Sequence, residues 1–490
     1  MKILLILPAG DRVRVTRANL RVPKRAMLRF SVLPLTIVAA LTPRAHEVRI
    51  VDENVEPLDF DAECDLVGIT FMTALAPRAY EIAREFRARG KVVIGGGYHA
   101  TLCPDDAVKH FDAIVAGDAE GVWERVLADV ETGRLGCGGG SADRGQRLNG
   151  DWVFSESTSP RGTIYRSENH SPELRTPVPR RELLASTARH YVTVNAVQTG
   201  RGCPHACRYC SVTVFHHRNY RHRPLAQVLA ELGRVSRDFI FVDDNIIADR
   251  AYARELFTAM VPLRKRWVSQ CSIDIADDAE LLRLAHAAGC CGLFIGIETT
   301  SAENLAAMGK QFNQSRQYTK RLAAIRCAGI GVVAGIIVGM DGDDVGVFEH
   351  TLRFLGQTRI DALQLNILTP LPGTPLFADM ERAGRMMDCD WSHYDYRHVV
   401  FRPARMTPEE LQAGADWLYG QFYRLDRILW RFVRGLFTVG WKPAWLGLKL
   451  GLTYRYDNKR ENIVGSNPAK CVTNGGNGIY KFPQEQALAV

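Results

Sequence analysis

Three cysteines, Cys203, Cys207 and Cys210, stand at a CxxxCxxC spacing directly after a predicted strand. Three thiolates in one short loop can hold three irons of a [4Fe–4S] cluster, and the fourth iron then lacks a protein ligand and can take a substrate. A closed zinc site would need a fourth cysteine or histidine. His205 lies inside the loop, so zinc remains an alternative, but no second CxxC pair or HxxxH partner follows. The spacing therefore favours an iron–sulfur cluster.

Residues 1–132 alternate strand and helix patterns, which is typical of an α/β domain with a doubly wound parallel sheet. The predicted strands are Lys2–Leu7, Glu47–Val51, Leu66–Phe71, Val92–Ile94 and Ala113–Val115. Such sheets bind ligands at the carboxyl ends of their strands. Small or flexible residues mark three of these ends: Thr70 and Thr73, then Gly95, Gly96 and Gly97, then Gly117. Any one glycine could belong to an ordinary turn, but the three positions together predict a cofactor crevice that the backbone approaches closely.

A second series of strands and helices runs through residues 186–400, after a linker predicted over residues 133–185, in which the glycine-rich stretch Gly133–Gly150 fits a linker or an exposed hairpin. Its predicted strands are Val192–Gln198, Phe239–Val242, Trp267–Ser272, Gly292–Ile297, Val332–Val338 and Ala362–Leu368. Six such βα steps predict a partial (β/α)6 barrel, in which chemistry takes place at the carboxyl ends of the strands.

The composition is that of a soluble globular protein. Of 490 residues, 46% are apolar and 24% are charged, which excludes a largely disordered chain. Twelve cysteines are too few for a disulfide scaffold of this length. The apolar run Ile3–Leu7 is too short for a signal peptide, and the uncharged stretch Ser31–Pro43 is too short to span a bilayer. We therefore expect a reducing, cytoplasmic location, where clustered cysteines favour metal binding or catalysis.

The excess positive charge is concentrated near the C-terminus. The chain has 62 basic and 54 acidic residues, a net charge of +8, which does not by itself indicate nucleic acid as a partner. From Arg424 to Arg460, nine Lys or Arg residues stand against Asp426 and Asp457, and aromatic residues are interleaved with them. This segment lies in a predicted helical region over residues 401–460. Two interpretations stay open, contact with a membrane surface or a helical cap on the barrel. Residues 461–490 are expected to form a poorly ordered tail.

The cysteine loop, with an aromatic residue before its last cysteine, resembles that of the radical S-adenosylmethionine (SAM) superfamily. The resemblance extends over about residues 192–399 and continues at the later strand ends. It implies SAM-binding roles for Tyr209, Asp243, Asp244, Ser272, Glu298, Lys310 and Gly339. In particular it implies that Glu298 meets the ribose and that Lys310 lies near the SAM carboxylate. From the residues alone, these two side chains could instead form only a surface salt bridge, which contributes about 0–1 kcal/mol.

Residues 1–132 are similar to the N-terminal domain of the cobalamin-binding radical SAM proteins. The similarity rests on Leu66–Thr73, on Val93–Thr101 and on the motif Gly117-Asp118-Ala119-Glu120 after the fifth strand. It implies that cobalamin occupies the crevice, and His99 either lines this crevice or caps a turn. Residues 52–57 read DENVEP, so the DxHxxG loop that carries a cobalt-binding histidine elsewhere is missing. Cobalamin would bind without a histidine from this loop, and a cobalamin-free domain stays an alternative.

The resemblance implies a chemistry in which SAM is cleaved by the reduced cluster and a 5′-deoxyadenosyl radical abstracts hydrogen from an unactivated carbon. It further implies a cobalamin-dependent methyltransferase, while a radical cyclase or rearrangement enzyme of the same architecture stays open. A non-catalytic iron–sulfur scaffold is a third hypothesis, and it would not need the positions Asp244, Glu298 and Lys310. The expected partners are a small molecule, for which the aromatic C-terminus suggests a hydrophobic one, and an electron donor such as flavodoxin or ferredoxin. No nucleic acid is expected.

Overall fold

The computed structural model describes residues 1–11, 13–19, 32–135, 146–148, 151–153, 162–167 and 173–463. The chain forms two compact units. The first unit consists of Met1–Gln270, Pro370–Ala383 and Cys389–Asp395, and the second of Cys271–Thr369, Gly384–Asp388 and the residues from Tyr396 onwards.

The first unit begins with alternating strands and helices. In chain order these are β1 (Lys2–Leu7), α1 (Leu33–Leu41), β2 (Glu47–Asp52), β3 (Leu66–Thr70), α2 (Ala76–Ala88), β4 (Val92–Gly96), α3 (Tyr98–Leu102), α4 (Pro104–Ala107), β5 (Ala113–Ala116), α5 (Trp123–Glu131), β6 (Gln146–Leu148), β7 (Asp151–Val153) and β8 (Thr163–Arg166). Six of the strands form a parallel sheet in the order β2-β1-β3-β4-β5-β8, and β6 and β7 pair separately and antiparallel. The central strands β1, β3 and β5 are almost wholly apolar and buried, as strands covered on both faces must be.

The register of this sheet brings the predicted small residues to one edge. Thr70 of β3 lies opposite Gly96 of β4, and Gly96 lies opposite Val115 of β5. Because the three strands are parallel neighbours, their carboxyl ends lie side by side, as the sequence pattern predicts.

Two elements of the first unit differ from the sequence-based expectation. Helix α1 lies within the stretch Ser31–Pro43, where the sequence excluded only a membrane span, and it has Pro34 in its first turn. Strand β8 lies within the predicted linker and pairs in parallel with β5. The linker prediction is therefore wrong at β8, because this short strand is specified by its pairing rather than by a long apolar run. Most of the rest of that glycine-rich segment lies outside the described residues.

The first unit continues into the second βα series. Its elements are β9 (Ala196–Val197), β10 (Gly200–Arg201), α6 (Ser211–Phe215), β11 (Arg221–His222), α7 (Leu225–Leu232), β12 (Asp238–Phe241), α8 (Arg250–Met260) and β13 (Arg266–Cys271). Strand β12 pairs in parallel with both β9 and β13. The predicted strand Val192–Gln198 is reduced to the two residues of β9. Asn195 donates its N–H to Thr193 Oγ1 at 3.0 Å and its side-chain amide to Ser236 Oγ at 2.7 Å, so local side-chain bonds compete with strand pairing.

The first boundary between the two units falls inside β13, and the remaining elements come after it in the chain. They are α9 (Ala279–Ala287), β14 (Cys290–Glu298), α10 (Ala302–Ala307), α11 (Tyr318–Cys327), β15 (Gly331–Val338), α12 (Val347–Gln357), β16 (Ala362–Ile367), α13 (Pro375–Arg382), α14 (Pro408–Phe422), α15 (Leu425–Thr438) and α16 (Trp441–Ile463). Helix α13 belongs to the first unit and the others to the second. Within the second unit β14, β15 and β16 pair in parallel in that order.

The predicted fold class is confirmed, with a doubly wound parallel sheet, six further βα steps and a helical C-terminal segment. Helix α16 extends to Ile463, and the rest of the predicted tail lies outside the described residues. Of the helices that the structure describes, none combines the length and the apolar character needed to cross a membrane.

Candidate cluster and cofactor site

The three cysteines lie in the loop between β10 and α6 of the first unit. Cys207 is buried, Cys203 and Cys210 are half-buried, and none of them forms a disulfide. The N–H of Cys210 donates to the carbonyl of Cys207 at 3.1 Å and closes the last turn of the loop. Gly202 starts the loop with a φ of +88°, and a Cβ there would clash with the carbonyl of Asn219. Only glycine fits this position, so the loop begins at a fixed turn.

In the part of the chain that the structure describes, no three His, Cys, Asp or Glu side chains converge as they would on a single metal ion. A zinc ion requires its thiolates at about 2.3 Å from one centre. A cubane cluster does not impose this geometry, because each thiolate binds a different corner iron. Three thiolates in one partly exposed loop are a donor set that fits a [4Fe–4S] cluster.

Two carboxylates after β12 hold the start of the cluster loop. Asp243 is buried and accepts hydrogen bonds from Thr199 Oγ1 at 2.6 Å, from Gly200 N at 2.6 Å and from Thr199 N at 3.1 Å. Asp244 accepts a hydrogen bond from Gly202 N at 2.8 Å. Burial raises the pKa of Asp243 to about 7 despite these hydrogen bonds, and burial also raises the pKa of Asp244. Both carboxylates are thus bonded to the backbone that leads into the cysteines, a positioning role that sequence reasoning missed.

The acidic residues after β5 hold Arg201, the residue two positions before the first cysteine. Arg201 is 9% exposed as a residue, and its guanidinium donates to both oxygens of Glu120, at 2.9 and 3.0 Å, and to Asp118 Oδ1 at 2.8 Å. Asp118 also forms an ion pair with Arg221. Burial opposes ionisation, but the charges of Arg201 and Arg221 keep the pKa of Asp118 below its usual value. Gly117, just before this pair, has a φ of +98°, which favours glycine at the turn. The sequence motif identified these acidic residues but not their partners.

The glycines at the end of β4 have different surroundings. A Cβ on Gly95 would lie 2.9 Å from the ring of Phe111, so this glycine is needed for packing. Gly97 has a φ of +98° and lies against Thr70 Oγ1, at 2.8 Å from the Cβ position. Gly96 is half-buried, and the nearest atom to its Cβ position lies 3.9 Å away. Gly96 is therefore the one of the three where a large ligand can approach the backbone directly, which fits a cofactor crevice at this edge.

A buried polar cluster surrounds Thr73 and His99. His99 is fully buried, with Nδ1 3.3 Å from Thr73 Oγ1 and Nε2 3.0 Å from the Tyr80 hydroxyl. Asp106 accepts hydrogen bonds from the Tyr80 hydroxyl at 2.9 Å and from Trp391 Nε1 at 3.2 Å. His99 Nε2 also lies 3.6 Å from Asp106 Oδ2, and this contact is the main cause that lowers the pKa of Asp106. His99 therefore belongs to the packing of the first unit, and it neither lines an open crevice nor caps a turn.

In the second unit, Glu298 at the end of β14 pairs with Lys310 at 2.5 Å. The two side chains are only 13% and 12% exposed, so the pair is not the surface salt bridge that the sequence left open. Strand β14 bulges between Gly296 and Glu298, and Glu298 has a φ of +65°, which is strained for a residue other than glycine. Asn313 stabilises the bulge by donating to the carbonyls of Gly296 and Ile297, at 2.9 and 3.1 Å. A strained, partly buried charged pair at a strand end is typical of a binding site.

The other positions predicted to contact SAM are at strand ends or in the cluster loop. Tyr209 is half-buried within the cluster loop, and Ser272 is half-buried directly after β13. Gly339 follows β15 with a φ of +95° and donates its N–H to Asp343 at 3.0 Å. Leu411 lies 2.7 Å from the Cβ position of Gly339, so packing alone already requires glycine there.

Two family models match the chain in these regions. Residues 197–355 match the Radical SAM superfamily, and residues 28–127 match the B12 binding domain. The six βα steps and the three-cysteine loop thus define a radical SAM enzyme with a second domain of the B12-binding class. The chain thus combines a radical SAM domain with a B12-binding domain, the combination found in the cobalamin-binding radical SAM proteins. Its cofactors are a [4Fe–4S] cluster, SAM and cobalamin.

Relatives and a solved structure agree with this assignment. The chain is 28% identical over 411 residues to the bacteriochlorophyllide d C-12(1)-methyltransferase of Chlorobaculum tepidum, which covers 81% of this chain and 84% of the relative. It is 24% identical over 412 residues to the anaerobic magnesium-protoporphyrin IX monomethyl ester cyclase of Cereibacter sphaeroides, covering 79% and 66%. The solved structure of OxsB, a cobalamin-dependent S-adenosylmethionine radical enzyme with aqua-cobalamin and SAM bound, matches with a TM-score of 0.63. This match has 14% identity over 95% of this chain and 80% of OxsB, and it shows a shared fold.

Proposed function

We propose that this radical SAM enzyme is a cobalamin-dependent methyltransferase that acts on a hydrophobic small molecule. The observation that carries the proposal is the buried contact of Asp118 and Glu120 with Arg201. It ties the carboxyl edge of the N-terminal sheet to the cluster loop within one compact unit. Two cofactors that take part in one reaction must be held at a fixed distance and orientation, because a small displacement of the reacting groups lowers the reaction rate strongly. The methyltransferase relative supports methyl transfer, and the bacteriochlorophyllide and protoporphyrin in the relatives' names support a large hydrophobic acceptor.

The residues divide among the cofactors as follows in this proposal. Cys203, Cys207 and Cys210 bind the cluster. Cobalamin lies against Gly96, at the sheet edge formed by Thr70 and Gly117, while Gly95 and Gly97 serve packing and the turn and Thr73 belongs to the buried cluster around His99. SAM contacts Tyr209, Ser272, Glu298, Lys310 and Gly339, whereas Asp243 and Asp244, also expected there from the sequence, position the cluster loop. When bound, the cluster and SAM supply one-electron hydrogen abstraction, and cobalamin supplies methyl transfer.

The side chains of the protein bind SAM and position the cluster loop. The Glu298 carboxylate can accept hydrogen bonds from two vicinal ribose hydroxyls, and Lys310 supplies a cation for the SAM carboxylate. Asp243 and Asp244 keep the cluster loop in place through its backbone N–H groups. The domain limits we propose are 1–132 and 186–400, which contain the two family matches, and 401–460 for the helical segment.

The cluster must receive electrons, and we propose a flavodoxin or ferredoxin as the donor. A cytoplasmic location fits this role, since the described cysteines form no disulfide and such thiols persist in reducing compartments.

Replacement of Glu298 by alanine is expected to weaken SAM binding by roughly 1–3 kcal/mol, because buried polar partners are left unpaired. The absorbance spectrum of the cluster should not change. Equilibrium dialysis of SAM with the reconstituted protein measures the affinity. Glu303→Ala, at an exposed position on the following helix, is the matched control and should bind SAM like the wild type. Wild-type affinity in both Glu298→Ala and Lys310→Ala would show that the pair only supports the fold.

Cobalt is expected to receive no histidine from this chain. After β2, the side chain of Asn54 donates to Asp52 Oδ1 at 2.7 Å, and Glu53 is paired with Arg78, so this loop offers no imidazole. The test uses cobinamide, which lacks the cofactor's own benzimidazole base. The EPR spectrum of its Co(II) form bound to the protein should show no nitrogen superhyperfine splitting, whereas cobinamide with added imidazole should show it. A nitrogen splitting in the protein sample would overturn this expectation, and failure to bind any corrinoid would point to a cobalamin-free radical enzyme.

The proposed reaction is tested with SAM that carries a deuterated methyl group. The reduced, cofactor-loaded protein is incubated with this SAM and with bacteriochlorophyllide-type acceptors, and the products are identified by mass. Transfer of the labelled methyl group to an acceptor is the expected result. Formation of 5′-deoxyadenosine with a cyclised, unlabelled product would favour the cyclase, the alternative that the second relative supports.

A further inference from the structure

Helix α15 turns its apolar side chains outward. Leu425, Leu429, Val433 and Phe437 recur every four residues and therefore form one stripe along the helix, with Trp430 beside it. All five are exposed, Trp430 to 60% and Phe437 to 86%. Together with the two tryptophans described below, these residues are named the outer face.

The start of α16 continues the outer face. Trp441 and Trp445 are exposed and stack on each other, with ring centroids 5.5 Å apart and planes 15° apart. Lys442 and Lys449 are exposed among them, and the Lys449 ammonium lies 5.6 Å from the Trp445 ring centroid. Tryptophan and lysine on one surface are typical of the boundary between lipid and water.

The two helices pack mainly through residues outside the outer face, where Gly435 meets Ala444 and Gly451 meets Ile428. Trp441 and Trp445 also contact Phe432 of α15, with ring centroids 6.0 and 6.1 Å apart, but both tryptophans stay exposed. Arg431 also points inward, with its guanidinium 4.0 Å from the Phe422 ring centroid and donating to the Phe422 carbonyl at 2.9 Å. The helix therefore half-buries an arginine while it exposes leucine, valine, tryptophan and phenylalanine, although an ordinary surface helix keeps its charged side chains outside.

We propose that the outer face docks on the surface of an anionic phospholipid bilayer. An apolar stripe of this kind marks an interaction surface, and the charge of the segment selects the partner. Residues 424–460 carry nine basic and two acidic residues, and Lys442 and Lys449 are exposed at the outer face, so this segment attracts anionic headgroups and repels a second copy of itself. The helices would lie in the plane of the interface with Trp and Phe inserted and lysines at the headgroups. This proposal does not rest on the methyltransferase reaction.

The test is co-sedimentation of the full chain with vesicles of phosphatidylglycerol and phosphatidylcholine in equal parts. The wild-type protein should bind these vesicles, bind pure phosphatidylcholine more weakly, and lose affinity at high salt. The double variant Trp430→Glu/Phe437→Glu should lose about tenfold or more in vesicle affinity, because two large apolar groups no longer enter the lipid. The control Val178→Glu/Leu263→Glu changes exposed apolar residues of the first unit and should bind like the wild type. Circular dichroism and the thermal midpoint verify that both variants are folded.

Three results would overturn the proposal. One is a wild-type protein that binds neither vesicle type. Another is equal loss of affinity in the control variant. The third is a concentration-dependent dimer, seen by sedimentation velocity without lipid, that only the Trp430→Glu/Phe437→Glu variant abolishes, since this would assign the outer face to a second copy of the chain. SAM cleavage by the soluble variant should be unchanged in every case, which separates this proposal from the proposed reaction.

Discussion

Alanine in place of Cys203, Cys207 or Cys210 is expected to remove most of the bound iron and to abolish SAM cleavage. Each thiolate would hold one corner of the cubane, so two thiolates leave two irons without a protein ligand. The measurement is iron and sulfide per chain, together with the visible absorbance, after anaerobic reconstitution.

Two exposed cysteines provide the matched controls for this experiment. Cys327→Ala and Cys389→Ala remove a thiol elsewhere and should retain the wild-type iron content and activity. Retention of the full cluster in a variant of the CxxxCxxC loop would contradict the assignment. Stoichiometric zinc without iron in protein purified under anaerobic conditions would contradict it as well.

Methionine in place of Arg201 is expected to cost about 3–5 kcal/mol of unfolding free energy, because it leaves the buried carboxylate of Glu120 without its counter-charge and Asp118 with Arg221 alone. Methionine keeps much of the arginine's volume, so the loss reports the charge rather than a cavity. Urea denaturation followed by circular dichroism measures it. The iron content after reconstitution should also fall, because Arg201 fixes the start of the cluster loop.

The matched control is Arg208→Met, in the same loop. Arg208 pairs with Asp379 at an exposed position, where an ion pair contributes only about 0–1 kcal/mol. Equal small losses in the two variants would show that the contact of Arg201 with Asp118 and Glu120 does not hold the loop.

The parts of the site that the sequence predicted are those encoded by local spacing. The cysteine triplet is a local motif, and its position after a strand follows from the alternation of apolar and polar segments. The bounds of β1 agree with the sequence pattern to the residue, since its apolar run leaves little ambiguity. The clustering of small residues at the ends of β3 and β4 is also predictable from the sequence, because neighbouring parallel strands place their carboxyl ends side by side.

Contacts between segments that are distant in the chain could not be predicted from the sequence. Arg201 lies 83 residues from Asp118 in the chain, and no local sequence pattern predicts that the two side chains pair. Asp243 and Asp244 were predicted as SAM contacts, yet the structure bonds them to the loop 42–44 residues earlier in the chain. The surroundings of His99 likewise depend on Trp391, which reaches the same cluster from the far end of the barrel segment. The partner of each of these side chains is known only from the tertiary structure.

The most direct test of the central claim is the release of 5′-deoxyadenosine from SAM by the anaerobically reconstituted protein on one-electron reduction. The account predicts that the wild-type protein forms 5′-deoxyadenosine and methionine, and that the Cys207→Ala variant forms neither. An iron-replete wild-type protein that binds SAM but releases no 5′-deoxyadenosine under reduction would contradict the account and leave an iron–sulfur scaffold as the better description.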